Sequence, residues 1–294
     1  MTDRDVKQLG KGLAFSSPWI IGFAAFMLLP IILSFYYSLC DYSGLQPPMF
    51  VGISNYRELM SDPIFLKSVE NSIQYALLVI PSSLILSLGL AMLLNVKMPG
   101  QAVFRTIIFL PSLVPIVASA MVWMWLYNGK FGMINHLLSK IGITGPSWLE
   151  NPTWTLPALA VMYLWGVGYT VVIYLAGLQD VPRELYEAAE IDGAGIWRRL
   201  WHVTIPMLSP VIFFNLIMSI IWVLQVFDLP YIMTPNGGPA RSTELMAVYL
   251  YDNAFRYVRM GYASAIAWIM LMMILALTGI AFWTSKRWVH YQGK

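Results

Sequence analysis

The chain has 294 residues, 58% hydrophobic and 11% charged, with a formal net charge of +3. Soluble globular domains carry about 25% charged residues and the mean hydropathy here is +0.65, which excludes a soluble enzyme, a disordered chain and a secreted disulfide scaffold. A lone cysteine, Cys40, forms no internal bridge, and His136, His202 and His290 are too scattered along the chain for a metal cluster. So small a charge on so apolar a chain leaves no footprint for nucleic acid.

Six stretches carry no Asp, Glu, Lys or Arg: residues 18–39, 72–94, 106–127, 155–177, 208–227 and 262–284. Each approaches the ~20 residues a helix needs to cross ~30 Å of hydrocarbon, and none alternates as a membrane strand would. The expected fold is all-α: a polytopic membrane protein with six transmembrane helices in a domain spanning 18–284, the fifth helix running on to about residue 230. Tails at 1–17 and 285–294 and the loops 95–105 and 178–207 hold roughly twice the Lys and Arg density of the other connections, which places both termini in the cytoplasm. The first stretch is too long for a signal-peptide core and no small-x-small site follows it, so it reads as an uncleaved helix. Leu39 before Cys40 is too bulky for a lipoprotein site. Pro30, Pro81, Pro111, Pro115 and Pro157 fall inside spans, either as packing kinks or as hinges and cavity walls.

The 178–207 loop carries its own helix signals. Pro182 suits a first helical position, Glu184 a first turn, and Gly193 and Gly195 a helix exit. At 100° per residue, Leu185, Ala188, Ala189 and Asp192 share one small, mostly apolar side with Tyr186 beside it, while Arg183, Glu187 and Glu190 fall opposite. Several acids and a single base fit an anionic leaflet poorly, so a protein partner suits this surface better than membrane lipid. Trp197, Arg198, Arg199 and Trp201 follow, a mixture suited to the membrane interface.

In the fifth span Asn215, Ser219, Trp222 and Val226 fall within about 60° of one another on a helical wheel. An amide, a hydroxyl and an indole on one face suit a polyol, or else helix–helix hydrogen bonding. Gln225 lies beside this stripe, and Asp228 nearly opposite, where it suits a cap or a gate. The turn-rich 234–239 segment reads as a contact for an outer partner or as a plain tight turn.

Glu187-Ala188-Ala189, Asp192-Gly193-Ala194 and Ile205-Pro206 resemble the EAA loop of ABC-transporter permeases, and more narrowly the maltose-type carbohydrate permeases that work with a binding protein. Further pieces follow in order: Phe50-Val51-Gly52, Asn55-Tyr56, Asn71-Ser72, Phe104-Arg105, Phe109-Leu110-Pro111, Thr234-Pro235-Asn236-Gly237-Gly238-Pro239 and Gly261-Tyr262-Ala263. The short 128–154 connection makes the chain look like the minimal six-helix form. The resemblance implies a permease subunit of an ATP-driven sugar importer in a bacterial inner membrane. Its implied partners are a cytoplasmic ABC ATPase dimer, a second homologous permease and an extracytoplasmic sugar-binding protein. By carry-over, Glu187, Ala188, Ala189, Asp192 and Gly193 form the coupling helix. No catalytic, cofactor or metal site is expected on this chain, and ATP and Mg belong to the partner ATPase. The Gly-Lys pairs at residues 10, 129 and 293 lack the spacing of a phosphate loop. Asn215, Ser219 and Trp222 are the substrate-path candidates. An importer of glycerol-3-phosphate or a polyol is the nearest alternative, but no Lys or Arg lies within a span. An ion-coupled secondary transporter would need charge at membrane depth, and a mere scaffold leaves the capped loop helix unexplained.

Overall fold

The computed structural model describes residues 12, 15–96 and 98–290, so most of the expected N-terminal tail and the end of the C-terminal one lie outside the described residues. Among the described residues four helices are long and apolar enough to cross a membrane, or six if each of two bent pairs counts as one span. Helices form because a lipid-facing backbone must satisfy its own N–H and C=O groups. The chain divides into two compact units, residues 1–62 with 250–269, and residues 63–249 with 270–294.

The first unit contains α1 (Phe15–Ser38), whose apolar side chains are unburied by this chain. A π-helical turn at Ala24–Leu28 directly precedes Leu29-Pro30. The proline ring would collide with the carbonyl four residues back, and the wider turn relieves that collision. A short antiparallel pair follows, β1 (Cys40–Asp41) with β2 (Met49–Phe50), then α2 (Ser54–Ser61). Asn55 is buried and donates from Nδ2 to the carbonyls of Ser38 and Cys40, both at 2.9 Å, capping the end of α1. Tyr262 donates to Asp62 at 2.7 Å and Arg259 grips both carboxylate oxygens of Glu58 at 2.7 Å. Gly261 must be glycine, since a Cβ there would lie 2.1 Å from the Cys40 carbonyl oxygen. The Asn55-Tyr56 and Gly261-Tyr262 pieces, distant in sequence, thus build one knot.

The second unit is built on α3 (Pro63–Asn95), 33 residues long and continuous through Pro81. It begins well before the expected span at 72–94 because Lys67 and Glu70, which exclude that turn from hydrocarbon, pair with each other at 3.0 Å on the helix surface. Charge marks the membrane edge, not the helix end. Next come α4 (Gln101–Leu113), α5 (Ile116–Leu126), α6 (Met133–Lys140), α7 (Pro152–Trp165) and α8 (Gly168–Gln179). The expected single helices at 106–127 and 155–177 are both broken: α4 and α5 meet at 98°, α7 and α8 at 50°. At the first break Val114 and Pro115 are extended, because a residue preceding proline is pushed out of the helical region. At the second, Gly168 lets α8 approach α4 closely; a Cβ would meet Ser112 Oγ at 2.8 Å and the Phe109 Cα at 3.0 Å.

After α9 (Arg183–Ile191), a helical run holds α10 (Ile196–Arg199), a π-helical turn (Leu200–Thr204), α11 (Ile205–Leu224) and α12 (Asp228–Met233). This second π-helical turn also stands two residues before a proline, Pro206. α13 (Met246–Tyr251) and α14 (Met260–Ser285) complete the chain. α3 packs against α7, α8 and α11. One apolar core gathers Tyr75, Val79, Leu159, Leu229 and Ile274. A second gathers Ala91, Val171, Leu178 and Leu208.

Candidate functional site

α9 is held by local geometry that its sequence encodes. Pro182 is the N-cap rather than the first helical residue, which is Arg183, and Glu184 sits in the first turn. At the other end the Ala194 N–H donates to the Ala189 carbonyl at 2.8 Å and the Gly193 N–H to that of Glu190 at 3.0 Å. With Gly193 at φ +73°, this is the paired Schellman closure of a helix C-terminus. Gly195 does different work from the helix exit expected of it. Its backbone is extended, at φ −68° and ψ 172°, and caps the start of α10.

The ties of α9 to its own chain define which side remains free. The Tyr186 hydroxyl and Thr204 Oγ1 lie 3.1 Å apart, and the Tyr186 ring packs on the core around Leu178 and Leu208. Glu190 stays exposed but pairs with the half-buried Arg199, on the side of α9 opposite the small one, as the helical wheel placed it. Ala189 is half-buried, whereas Glu187, Ala188, Asp192 and Gly193 are exposed. Leu185 is exposed beside Ala188, and Ile191 is 87% exposed. The outward face is therefore Leu185, Ala188, Ile191 and Asp192, turned from the expected one because Ala189 leans inward with Tyr186.

Both helix breaks, together with α11, wall a cavity of about 620 Å³. The α4–α5 break contributes Ser112, Val114, Ile116 and Ser119, and the α7–α8 break Tyr163, Trp165, Tyr169 and Thr170. Asn215, Ser219, Trp222 and Val226 line the α11 side. Asn215 is buried, and its Nδ2 and the hydroxyl of neighbouring Tyr174 each lack a hydrogen-bond partner of good geometry. Ser112 donates to the Phe109 carbonyl at 2.6 Å, which secures its rotamer and leaves oxygen lone pairs for a guest. Asp228 also lines the cavity. Its placement opposite Asn215 assumed an unbroken wheel, but α11 ends at Leu224 and α12 begins at Asp228, which resets the phase. Of the lining residues only Asp228 carries formal charge. The break residues Tyr163, Trp165, Tyr169, Thr170, Ser112 and Ser119 were not singled out by sequence. Of the residues at the two breaks, sequence singled out only Pro115, as a packing kink or as a hinge and cavity wall.

Residues 234–245 form two successive 3₁₀ turns, Pro235–Gly237 and Pro239–Arg241. Asn236, Ala240 and Arg241 have φ of 58°, 50° and 55°. Such backbone persists only where its surroundings impose it. Asn71 donates to the carbonyls of Arg241 and Glu244 at 2.7 and 3.1 Å, and Ser72 accepts from the Met246 N–H at 2.9 Å. Thr155 bonds Ser242 at 2.7 Å. This segment is an anchored wedge.

Residues 83–290 match the family described as the binding-protein-dependent transport system inner membrane component. The chain belongs to that family. The permease is 39% identical over 96% of its length, and 93% of the relative's, to the probable ABC transporter permease protein YesP of Bacillus subtilis. It is 36% identical to the lactose transport system permease protein LacF of Rhizobium radiobacter, covering 94% of each chain. It is 35% identical to the sulfoquinovosyl glycerol transport system permease protein SmoG of Agrobacterium fabrum, covering 85% and 81% of the two chains. A chain in the crystal structure of a bacterial ABC transporter that imports the acidic polysaccharide alginate shares its fold. There the TM-score is 0.84 and the identity 24%, over 97% of the permease and 98% of that chain. The permease is thus a multi-pass inner-membrane transport component of a binding-protein-dependent ABC system, not itself the ATPase.

Proposed function

We propose that the permease is one of two membrane subunits of an ABC importer for a neutral carbohydrate, with the cavity around Asn215 on the substrate path. The observation that carries the substrate class is the cavity lining itself, in which Ser112, Ser119, Thr170, Asn215 and Ser219 alternate with Trp165, Tyr169 and Trp222. A hydroxylated guest finds partners in the side-chain hydroxyls, and its C–H faces suit the Trp165, Tyr169 and Trp222 rings. Among the described residues no Lys or Arg lines the cavity, which disfavours glycerol-3-phosphate. The sugar-named relatives support the same reading.

In this reading both termini and α9 are cytoplasmic. The outward face of α9 docks on an ABC ATPase dimer, which holds ATP and Mg, and a second homologous permease completes the path. A binding protein delivers the sugar at the opposite face. Nucleotide-driven movement of α9 tips the bundle between its two facings. Such coupling requires only that the two states differ in binding free energy by a few kcal/mol.

Uptake by the reconstituted complex tests the reading. Asn215→Leu lowers uptake of the carried sugar about tenfold while the ATPase subunit still copurifies, the loss of one or two hydrogen bonds. Unchanged uptake and an unchanged sugar profile would remove Asn215 from the path.

A further inference from the structure

We infer that two side-chain ties, Glu190–Arg199 and Tyr186–Thr204, form the bracket that transmits movement of α9 into the cavity wall. The inference rests on the reading of α9 as the ATPase-docking helix and assigns positioning roles to residues on its opposite side.

The covalent link between α9 and the helical run that follows is Gly193-Ala194-Gly195, with Gly193 left-handed and Gly195 extended. Two glycines in three residues make a compliant joint, because glycine accepts many backbone conformations at little cost. Pushed through that joint alone, α9 would swivel rather than drive α11. The ties span the joint. Glu190, in the last turn of α9, pairs with Arg199, the last residue of α10. Tyr186, one turn earlier, meets Thr204 Oγ1 at 3.1 Å. Thr204 is buried and ends the π-helical turn that leads directly into α11, and α11 carries Asn215, Ser219 and Trp222 to the cavity. Two attachments about one helical turn apart fix both position and tilt; one fixes position only. Both lie on the side of α9 away from Leu185, Ala188 and Ile191, so they leave the outward face free to dock. The bracket therefore separates two properties that the loop would otherwise share: holding the ATPase, and moving the wall.

The test uses the whole complex, reconstituted, with the buried Cys40 replaced by serine and Ser219→Cys as a reporter in the cavity. The probe is a membrane-impermeant maleimide, applied without nucleotide and after trapping with ATP and orthovanadate. In this parent, trapping changes the labelling rate several-fold. The double variant E190Q/Y186F shrinks that change by about fivefold or more, the scale of losing a partly exposed ion pair and one hydrogen bond, while the ATPase subunit stays bound and hydrolyses ATP. E190R alone shrinks it as well, and E190R/R199E, which restores the pair with reversed charges, returns it to within about twofold of the parent. Rescue by reversal shows that the pair itself acts, and retained ATPase binding and hydrolysis separate lost transmission from a merely structural defect. A nucleotide-dependent change that survives in E190Q/Y186F overturns the bracket alone. So does loss of the ATPase subunit from that variant, which would make the ties part of docking. A parent complex that binds no ATPase overturns both the bracket and the reading on which it rests.

Discussion

α9 and the α11 wall leave opposite kinds of atom unused. On α9 the polar groups that matter locally are satisfied, through Glu190–Arg199 and Tyr186–Thr204, while apolar Leu185, Ala188 and Ile191 are left uncovered. On the cavity wall the apolar surroundings are well packed, and the Asn215 amide is the group without a well-placed partner. Water covers neither comfortably: exposed apolar surface costs about 25 cal/mol per Å², and a buried donor without an acceptor costs about 1–3 kcal/mol. In the proposed function each region is completed by something of the opposite character, a protein surface for the first and a hydroxylated solute for the second.

Four substitutions break or sharpen that contrast. The largest effect is expected from Gly193→Val. At φ +73° a branched side chain is strained by at least ~1–2 kcal/mol, and the end of α9 is rebuilt. Coupled uptake is lost in proteoliposomes while membrane insertion, checked by fractionation, persists. Ala188→Arg comes next: a long charged side chain on the outward face reduces copurification of the ATPase subunit about tenfold or more, measured by quantitative pull-down from detergent. Asn215→Leu acts on the other region and in the other direction for stability. Removing the orphaned donor keeps or raises the melting temperature of the purified complex, although uptake falls. The smallest effect is expected from Gly195→Ala. Its backbone is extended and no atom lies within 4 Å of the added Cβ, so uptake stays within about twofold of the parent.

The contrast also shows what was legible beforehand. The spans were written in charge-free runs because hydrocarbon tolerates almost no Lys, Arg, Asp or Glu. The frame of α9 was written in Pro182, Glu184 and Gly193, since local chemistry decides helix ends. Which proline would break its helix was not legible. Pro81 and Pro157 sit inside continuous α3 and α7, yet Pro115 accompanies a bend of 98°, and the difference lies in tertiary packing that a proline does not announce. The cavity inherited that blindness. Asn215, Ser219 and Trp222 share a regular helix and were found by periodicity, whereas Tyr163, Trp165 and Thr170 flank or follow a break, where no wheel applies. Asp228 shows the same limit, displaced to the cavity by the unwinding after Leu224. Glu190 shows another: it stays exposed, and its partner Arg199 lies beyond the end of α9, where the wheel of one helix cannot point.

The most direct measurement is a crosslink from the outward face of α9. Cys40 is fully buried and its thiol lies 3.3 Å from the Tyr36 carbonyl oxygen, a bond that serine preserves. In a Cys40→Ser background, Ala188→Cys with a short bifunctional maleimide captures the ABC ATPase subunit in intact inside-out vesicles, with a yield that changes on adding ATP. Capture of no ATPase there, or reaction of that cysteine with an impermeant reagent from the opposite side of the membrane, would contradict the account.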